Sequence, residues 1–307
     1  MLIVGKKEEG AMSETLKNQK EVEQNVLGLP VDRNIIFSNH NGAYKQGVEK
    51  RQTKLFQKIS FLKPFLKKDE KILLVTTGCS PMSIMEQSLT GWIIFYLKRS
   101  LFVFTNKRIF HIPTKLNYSY RNSIAQIFYA DCQTIEVKGR TLVVKYKSGK
   151  KEKFYYMGRK ERKKIKALLE TISLEGVQSE RVGRICLCPR CTKELIEDEY
   201  TCPNCRLEFK SKSEAKRISV IYPGGGYFYT GHPWLGAGDA IIESILLLIV
   251  VLTFIDALQG GKDGFSSFVV FLIILALEKA ITVYHSNHFI KEYLPKEKEI
   301  RPIIASQ

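Results

Sequence analysis

Two kinds of hydrophobic pattern divide this chain. Between residues 71 and 157, short apolar runs alternate with polar breaks: KILLVTTG, WIIFYL, LFVFT, RIFHIP, IAQIFYA, TIEVKG, TLVVKY and EKFYYMG. β-Branched and aromatic residues fill these runs, and breaks such as Thr105-Asn106-Lys107 and Lys147-Ser148-Gly149-Lys150 have hairpin-turn composition. The pattern predicts roughly seven antiparallel strands. A helix is expected over 159–174, with Ile165, Leu168, Leu169 and Ile172 on one face and Lys160, Lys163, Lys164 and Lys166 largely off it. Upstream, residues 49–68 form a basic amphipathic stretch whose apolar members are Leu55, Phe56, Ile59, Leu62, Phe65 and Leu66. It is expected to pack as a helix ahead of the strands, with a membrane surface as its alternative seat. Residues 1–48 are polar and weakly patterned, with one candidate helix over 14–26.

The second pattern is continuous rather than alternating. Residues 235–258 read LGAGDAIIESILLLIVVLTFIDAL and residues 265–284 read FSSFVVFLIILALEKAITVY. Each has about the 20 residues that a helix needs to cross ~30 Å of hydrocarbon. The run Ile245-Leu246-Leu247-Leu248-Ile249-Val250-Val251-Leu252 is apolar on every face, which suits lipid better than the core of a chain this size. The uninterrupted cores are shorter, 245–255 and 268–277, so a buried helical hairpin in a soluble protein is the competing expectation. A glycine-rich turn holding Lys262 and Asp263 joins the two blocks. Lys210, Lys212, Lys216 and Arg217 precede the first span, and Lys291, Lys296, Lys298 and Arg301 follow the second. The positive-inside rule then puts both termini in the cytoplasm, the second as a tail over 291–307. Antiparallel spans turning near residue 261 bring Glu243 level with Lys279, and an interhelical pair between them is expected to set the register.

Cysteines add chemistry. Residues 188–205 contain Cys-Pro-Arg-Cys and, ten residues later, Cys-Pro-Asn-Cys. Two C-x2-C pairs let Cys188, Cys191, Cys202 and Cys205 converge as four thiolates on one tetrahedral ion, and zinc suits that donor set. A closed four-ligand site leaves no open position for catalysis. Of the 7 cysteines, Cys186 is the sole substitute ligand nearby, while Cys79 and Cys132 lie in strand-like sequence and are expected to be buried small apolar residues. An odd count with metal-type spacing points to a reducing compartment. The first nine residues carry too short an apolar run for a signal peptide. The balance of 48 Lys+Arg against 31 Asp+Glu gives a net charge of +17. Such a surplus suits a polyanionic partner, either nucleic acid or an anionic membrane surface.

Two resemblances follow from these residues. Phe104-Thr105-Asn106-Lys107-Arg108-Ile109-Phe110 resembles a strand of bacterial pleckstrin-homology (PH) and GRAM-like domains, and Lys68-Asp69-Glu70-Lys71-Ile72-Leu73 resembles their first strand. The resemblance implies a PH-like β-barrel with a C-terminal helix over 69–175. Pro223, Gly224, Gly226, Phe228, Tyr229 and Gly231 match the PGxGxFYxG signature of a bacterial family of two-helix transmembrane-hairpin domains. That resemblance covers about 215–285, within an expected membrane domain over 215–290, and implies no catalytic activity. With Trp234, its aromatic residues suit the headgroup level.

The expected fold class is therefore a multidomain α+β membrane protein with a PH-like barrel, a small zinc ribbon over 184–210 and a transmembrane hairpin. Its expected role is non-enzymatic binding or scaffolding at the cytoplasmic membrane surface, the partner being anionic lipid or another membrane protein. Lys145, Lys147, Lys160, Lys163, Lys164 and Lys166 are the candidate lipid-surface residues. Nucleic-acid binding is one alternative, but Glu194, Glu197, Asp198 and Glu199 in the ribbon repel phosphate. The other is a membrane-surface metalloenzyme, in which His285 and His288 join Asp239 and Glu243 around a metal.

Overall fold

The computed structural model describes residues 25–261, 263–297 and 300. Most of the candidate helix over 14–26, together with Lys262, Lys298 and Arg301, lies outside them. The chain is a mixed α+β protein that divides into two compact units. Among the described residues, the first holds 25–82 and Lys98–Leu187; the second holds Ser83–Leu97 and the residues from Cys188 onward.

In the first unit, seven of the predicted runs form strands: β1 (Ile72–Cys79), β2 (Arg99–Thr105), β3 (Arg108–Pro113), β4 (Ile124–Phe128), β5 (Cys132–Lys138), β6 (Thr141–Tyr146) and β7 (Lys151–Phe154). They make two antiparallel sheets. Strands β1 to β4 run in sequence order, and a late strand β8 (Ile185–Leu187) pairs with β4. Strands β5, β6 and β7 form the second sheet. Neither sheet closes into the expected barrel. One reason is visible at β4: its free edge is taken by β8, and a 3-10 turn at Tyr129–Asp131 redirects the chain before β5. The sheets meet at a bridge where Cys79 and Tyr155 exchange backbone hydrogen bonds of 2.8 and 3.2 Å.

The larger sheet is buried on both faces, which is why its strands read as unbroken apolar runs. Leu101, Val103, Phe110 and Ile112 face a core completed by the segment 29–37, helix α1 (Gln46–Phe56) and the 3-10 turn Ser60–Phe65. Phe102, Phe104 and Ile109 face the opposite core, shared with the smaller sheet and with Ile165 and Leu168 of helix α4 (Arg162–Thr171). The basic stretch 49–68 thus packs on the sheet, as expected. Its Gln52 does a second job: Nε2 donates to Val75 O (2.9 Å) and Oε1 accepts from Val75 N (3.0 Å), satisfying part of the open edge of β1.

The Thr-Asn-Lys-Arg turn owes its pattern to a buried ion pair. Arg108 lies 2.8 Å from Glu70 and also donates to Phe65 O at 2.7 Å, while Thr105 Oγ1 donates to Glu70 Oε1 at 2.8 Å. Burial pushes the Glu70 carboxyl up, but hydrogen bonding and charge from Arg108 outweigh it and hold the group below its usual 4.5.

The run WIIFYL corrects the strand prediction. Residues 83–97 form two short helices, α2 (Ile84–Thr90) and α3 (Ile93–Leu97), and belong to the second unit. Ser83 and Glu86 close a capping box at the start of α2, and Gly91 ends it with φ +59°.

The second unit is built on α7 (Pro233–Leu258, 26 residues) and α8 (Gly264–Ile290, 27 residues), both long and apolar enough to cross a membrane. Two shorter helices, α5 (Lys212–Ile221) and α6 (Gly225–Tyr229), pack against them, so the hairpin is the larger part of a helical cluster.

Candidate metal centre and the polar core of the hairpin

The two C-x2-C segments fold as copies of one turn. In the first, Thr192 N donates to Cys188 O (2.9 Å) and Cys188 N to Lys193 O (2.8 Å); in the second, Arg206 N donates to Cys202 O (3.0 Å) and Cys202 N to Leu207 O (2.9 Å). The residue after each second cysteine adopts a left-handed conformation, Thr192 at φ +62° and Arg206 at φ +56°. Backbone N–H groups of Arg190 and Cys191 point to the Cys188 sulfur, that of Lys193 to Cys191 and that of Leu207 to Cys205. Burial raises the Cys188 and Cys205 thiols, and these donors work against it, toward the thiolate that binds metal; at Cys191 they prevail.

These turns converge. Cys188 Sγ lies 3.5 Å from Cys205 Sγ, Cys191 Sγ lies 3.6 Å from Cys202 Sγ, and all four sulfurs fall within 4.8 Å of one another. Four sulfurs so spaced can hold one metal ion. Cys186 is drawn away from that role by the β8–β4 ladder, where it pairs with Ala125. Cys79 and Cys132 are buried in strands β1 and β5.

The expected tail is part of this centre. After α8 the chain returns to the ribbon, with Phe209 bridging Pro295, Lys210 N donating to Leu294 O (2.8 Å) and Lys296 N donating to Glu208 O (3.0 Å). Tyr293 packs edge-on against Phe209 and donates its hydroxyl to Ile196 O at 2.8 Å. Arg190 pairs with Glu297. The sequence signal was slight: a Tyr-Leu-Pro triplet beyond the last helix.

Inside the hairpin, Lys279 Nζ lies 2.7 Å from Glu243 Oε2, which also accepts from Gly224 N at 3.0 Å. Thr282 Oγ1 reaches Asp239 Oδ2 (3.2 Å) and Glu278 Oε1 (3.0 Å), and Phe254 meets Phe268 at 5.1 Å. Carboxylate oxygens of Asp239, Glu243 and Glu278 gather within 4.8 Å of one another; the first two are grouped in the sequence expectations and Glu278 is missed there. Like charges this close need a counter-charge, and the Lys279 ammonium beside Glu243 supplies one. The histidines do not join them: His285 Nδ1 is 2.7 Å from Tyr227 OH, and His288 Nε2 is 3.2 Å from Glu86 Oε2.

The glycine-rich motif is a packing device. Gly224 takes φ +65°, and a Cβ there would sit 2.1 Å from Gly236 O; at Gly226 it would sit 2.1 Å from Ser219 Oγ and 2.2 Å from Ser286 Oγ. Tyr229 donates to Glu214 Oε2 at 2.6 Å, and Gly231 closes the following turn at φ +82°. Pro223, Phe228 and Trp234 stay exposed.

In the first unit, Lys160, Lys163 and Lys166 line an open cleft of about 700 Å³ with Lys45, Arg51 and Arg159, where Glu161 is the acidic member. Lys145 and Lys147 are exposed on and just after β6 and do not line it. Lys164 departs from the lipid-surface expectation. Its ammonium is buried and donates to the carbonyls of Ile35, Ile36 and Ser38 around the end of the helix Arg33–Ile36. Burial lowers it to about 8. Comparison with known proteins finds no matching family model, curated protein or solved structure.

Proposed function

We propose that this chain is a non-enzymatic, membrane-anchored binding or scaffold protein, its hairpin crossing the bilayer and its other modules held at the cytoplasmic surface. The observation that carries this is the direction of the side chains on α7 and α8. Large apolar residues such as Ile242, Leu248, Leu252, Leu258, Phe265 and Leu277 are exposed, while Glu243, Thr282, His285 and Ser286 are buried. In water that distribution is unfavourable; in hydrocarbon it is the stable one. The ion for Cys188, Cys191, Cys202 and Cys205 is zinc, whose role is to fasten the two turns together. The first unit acts as the PH-like module. Its basic cleft favours an anionic lipid surface, each charge near the headgroups contributing ~1 kcal/mol.

Reconstitution into vesicles tests the anchor. The chain should float with the lipid after an alkaline carbonate wash and carry one zinc per chain. Release by carbonate would overturn the spanning role, and absence of stoichiometric metal would overturn the zinc assignment. Lysine labelling then tests the cleft. Lys160, Lys163 and Lys166 should be protected in low-salt discs containing phosphatidylglycerol and labelled in discs of phosphatidylcholine alone. Equal labelling would leave the anchor and remove the lipid-surface role.

A further inference from the structure

Residues 83–97, SIMEQSLTGWIIFYL, leave the first unit between paired strands and form part of the second. Their composition departs from that of the chain. Charged residues make up 26% of the whole protein, yet this stretch contains only Glu86. That one carboxylate is turned inward: it accepts from Ser83 N at 2.8 Å and lies 3.2 Å from His288 Nε2. The apolar side chains take the opposite direction. Ile84 is 83% exposed, Trp92 69%, Met85 58%, Tyr96 44% and Ile93 42%. Two short helices thus present an uncharged, aromatic-bearing surface while spending their only charge on a tether.

The tether sets the level of this surface. Ser83 Oγ lies 2.8 Å from Tyr284 OH, and Glu86 meets His288 one helical turn further along α8. Counting from Phe265, a helix rising ~1.5 Å per residue leaves a ~30 Å hydrocarbon layer after ~20 residues, near Tyr284, with His288 in the headgroup zone. The apolar surface is therefore hung at the level where α8 reaches the interface. Trp92 and Tyr96, in edge-on contact at 5.5 Å, are the residue types that suit this depth. We propose that residues 83–97 are an interfacial membrane anchor, their apolar faces seated in the headgroup and upper acyl region of the leaflet that α8 leaves at Tyr284. The bilayer is their partner.

This inference rests on the spanning role proposed for α7 and α8, and one experiment separates the two. The chain has two tryptophans, so Trp234→Phe leaves Trp92 as the sole indole fluorophore. The full-length variant is reconstituted into phosphatidylcholine–phosphatidylglycerol vesicles and floated. Trp92 should then show severalfold quenching by lipid brominated close to the headgroup and little quenching by aqueous acrylamide. If Trp234→Phe misfolds, the Trp92 component follows from subtracting the signal of Trp92→Phe from that of the unaltered protein. Failure to float would overturn the spanning role and this inference together. Floating with Trp92 open to acrylamide would overturn the inference alone, as would shielding from both quenchers, which would mean that protein covers the surface. Adding Glu86→Ala to the single-tryptophan variant should raise acrylamide access severalfold; unchanged access would overturn the tether.

Discussion

The sheet unit and the helical unit sort the same amino acids in opposite directions. In the sheet unit apolar residues lie inside, and the buried polar groups serve the backbone or each other: Gln52 on the edge of β1, Lys164 on three carbonyls, Arg108 on Glu70. In the helical unit the apolar residues of α7 and α8 point outward, and the interior collects Glu243, Lys279, Thr282, His285 and Ser286. Under the spanning role proposed above, the contrast shows what each interior is made to oppose. Water already satisfies polar groups, so a soluble core gains by hiding hydrocarbon. Lipid satisfies none, so a membrane core gains by hiding charge and hydrogen-bonding capacity.

The largest effect should come from breaking the rule within the sheet unit. Arg108→Met leaves Glu70 buried without its counter-charge and should cost about 3–5 kcal/mol. Hydrogen exchange across Ile72–Cys79 and Arg99–Thr105 would report it. The double change Glu70→Leu with Arg108→Met should recover most of the loss. Less severe is overpacking in the helical unit. Gly226→Ala forces a methyl into the space of Ser219 and Ser286 and should cost about 1–3 kcal/mol in detergent unfolding. A neutral outcome would mean that α6 shifts freely on the hairpin.

Charge reversal at Glu243 and Lys279 should be gentler, with a coupling of about 1–2 kcal/mol in a double-mutant cycle. Each single reversal should loosen the hairpin and the double swap should restore much of it; additive losses would show no interaction. The smallest effect is set by pH and falls on the sheet unit. His111, 3.0 Å from Ser80 Oγ, is held well below its usual 6.5 by burial, with Arg184 and Lys98 adding repulsion. Its stabilising contribution is complete above 6.5 and is lost as pH falls toward the lowered folded value. Glu70 follows the same sign, complete above 4.5 and lost as pH drops through its depressed folded value. Each group sets a slope below ~1.4 kcal/mol per pH unit, measurable as a falling melting temperature.

Features governed by local period were legible from the residues. The apolar alternation located seven strands, the 3.6-residue period located the helix bearing Ile165 and Leu168, and the paired C-x2-C spacing located four sulfurs that converge. Antiparallel counting also brought Glu243 and Lys279 to one level. Non-local choices were not legible. Nothing near Ile124–Phe128 announces that Ile185–Leu187 will take its edge, and that pairing is one reason the sheet stays open. Trp92–Leu97 has strand-like composition, and the stronger local evidence was the Ser83/Glu86 cap that starts the preceding helix. Lys164 fits a solvated helix face by spacing, and three carbonyls from far upstream draw it inward. Asp239 and Glu278 meet only because the spans pair.

The contact between Ser83 and Tyr284 spans 201 residues, and that distance is also a waiting time. At ~5–20 residues per second of synthesis, the helices of 83–97 emerge on the order of ten to forty seconds before the helix that holds them. Throughout that interval a nascent chain carries Trp92 and its apolar neighbours with no α8 to receive them. A ribosome already at the membrane would give this segment a surface to rest on, whereas one in the open cytoplasm would expose it to chaperones and to other nascent chains.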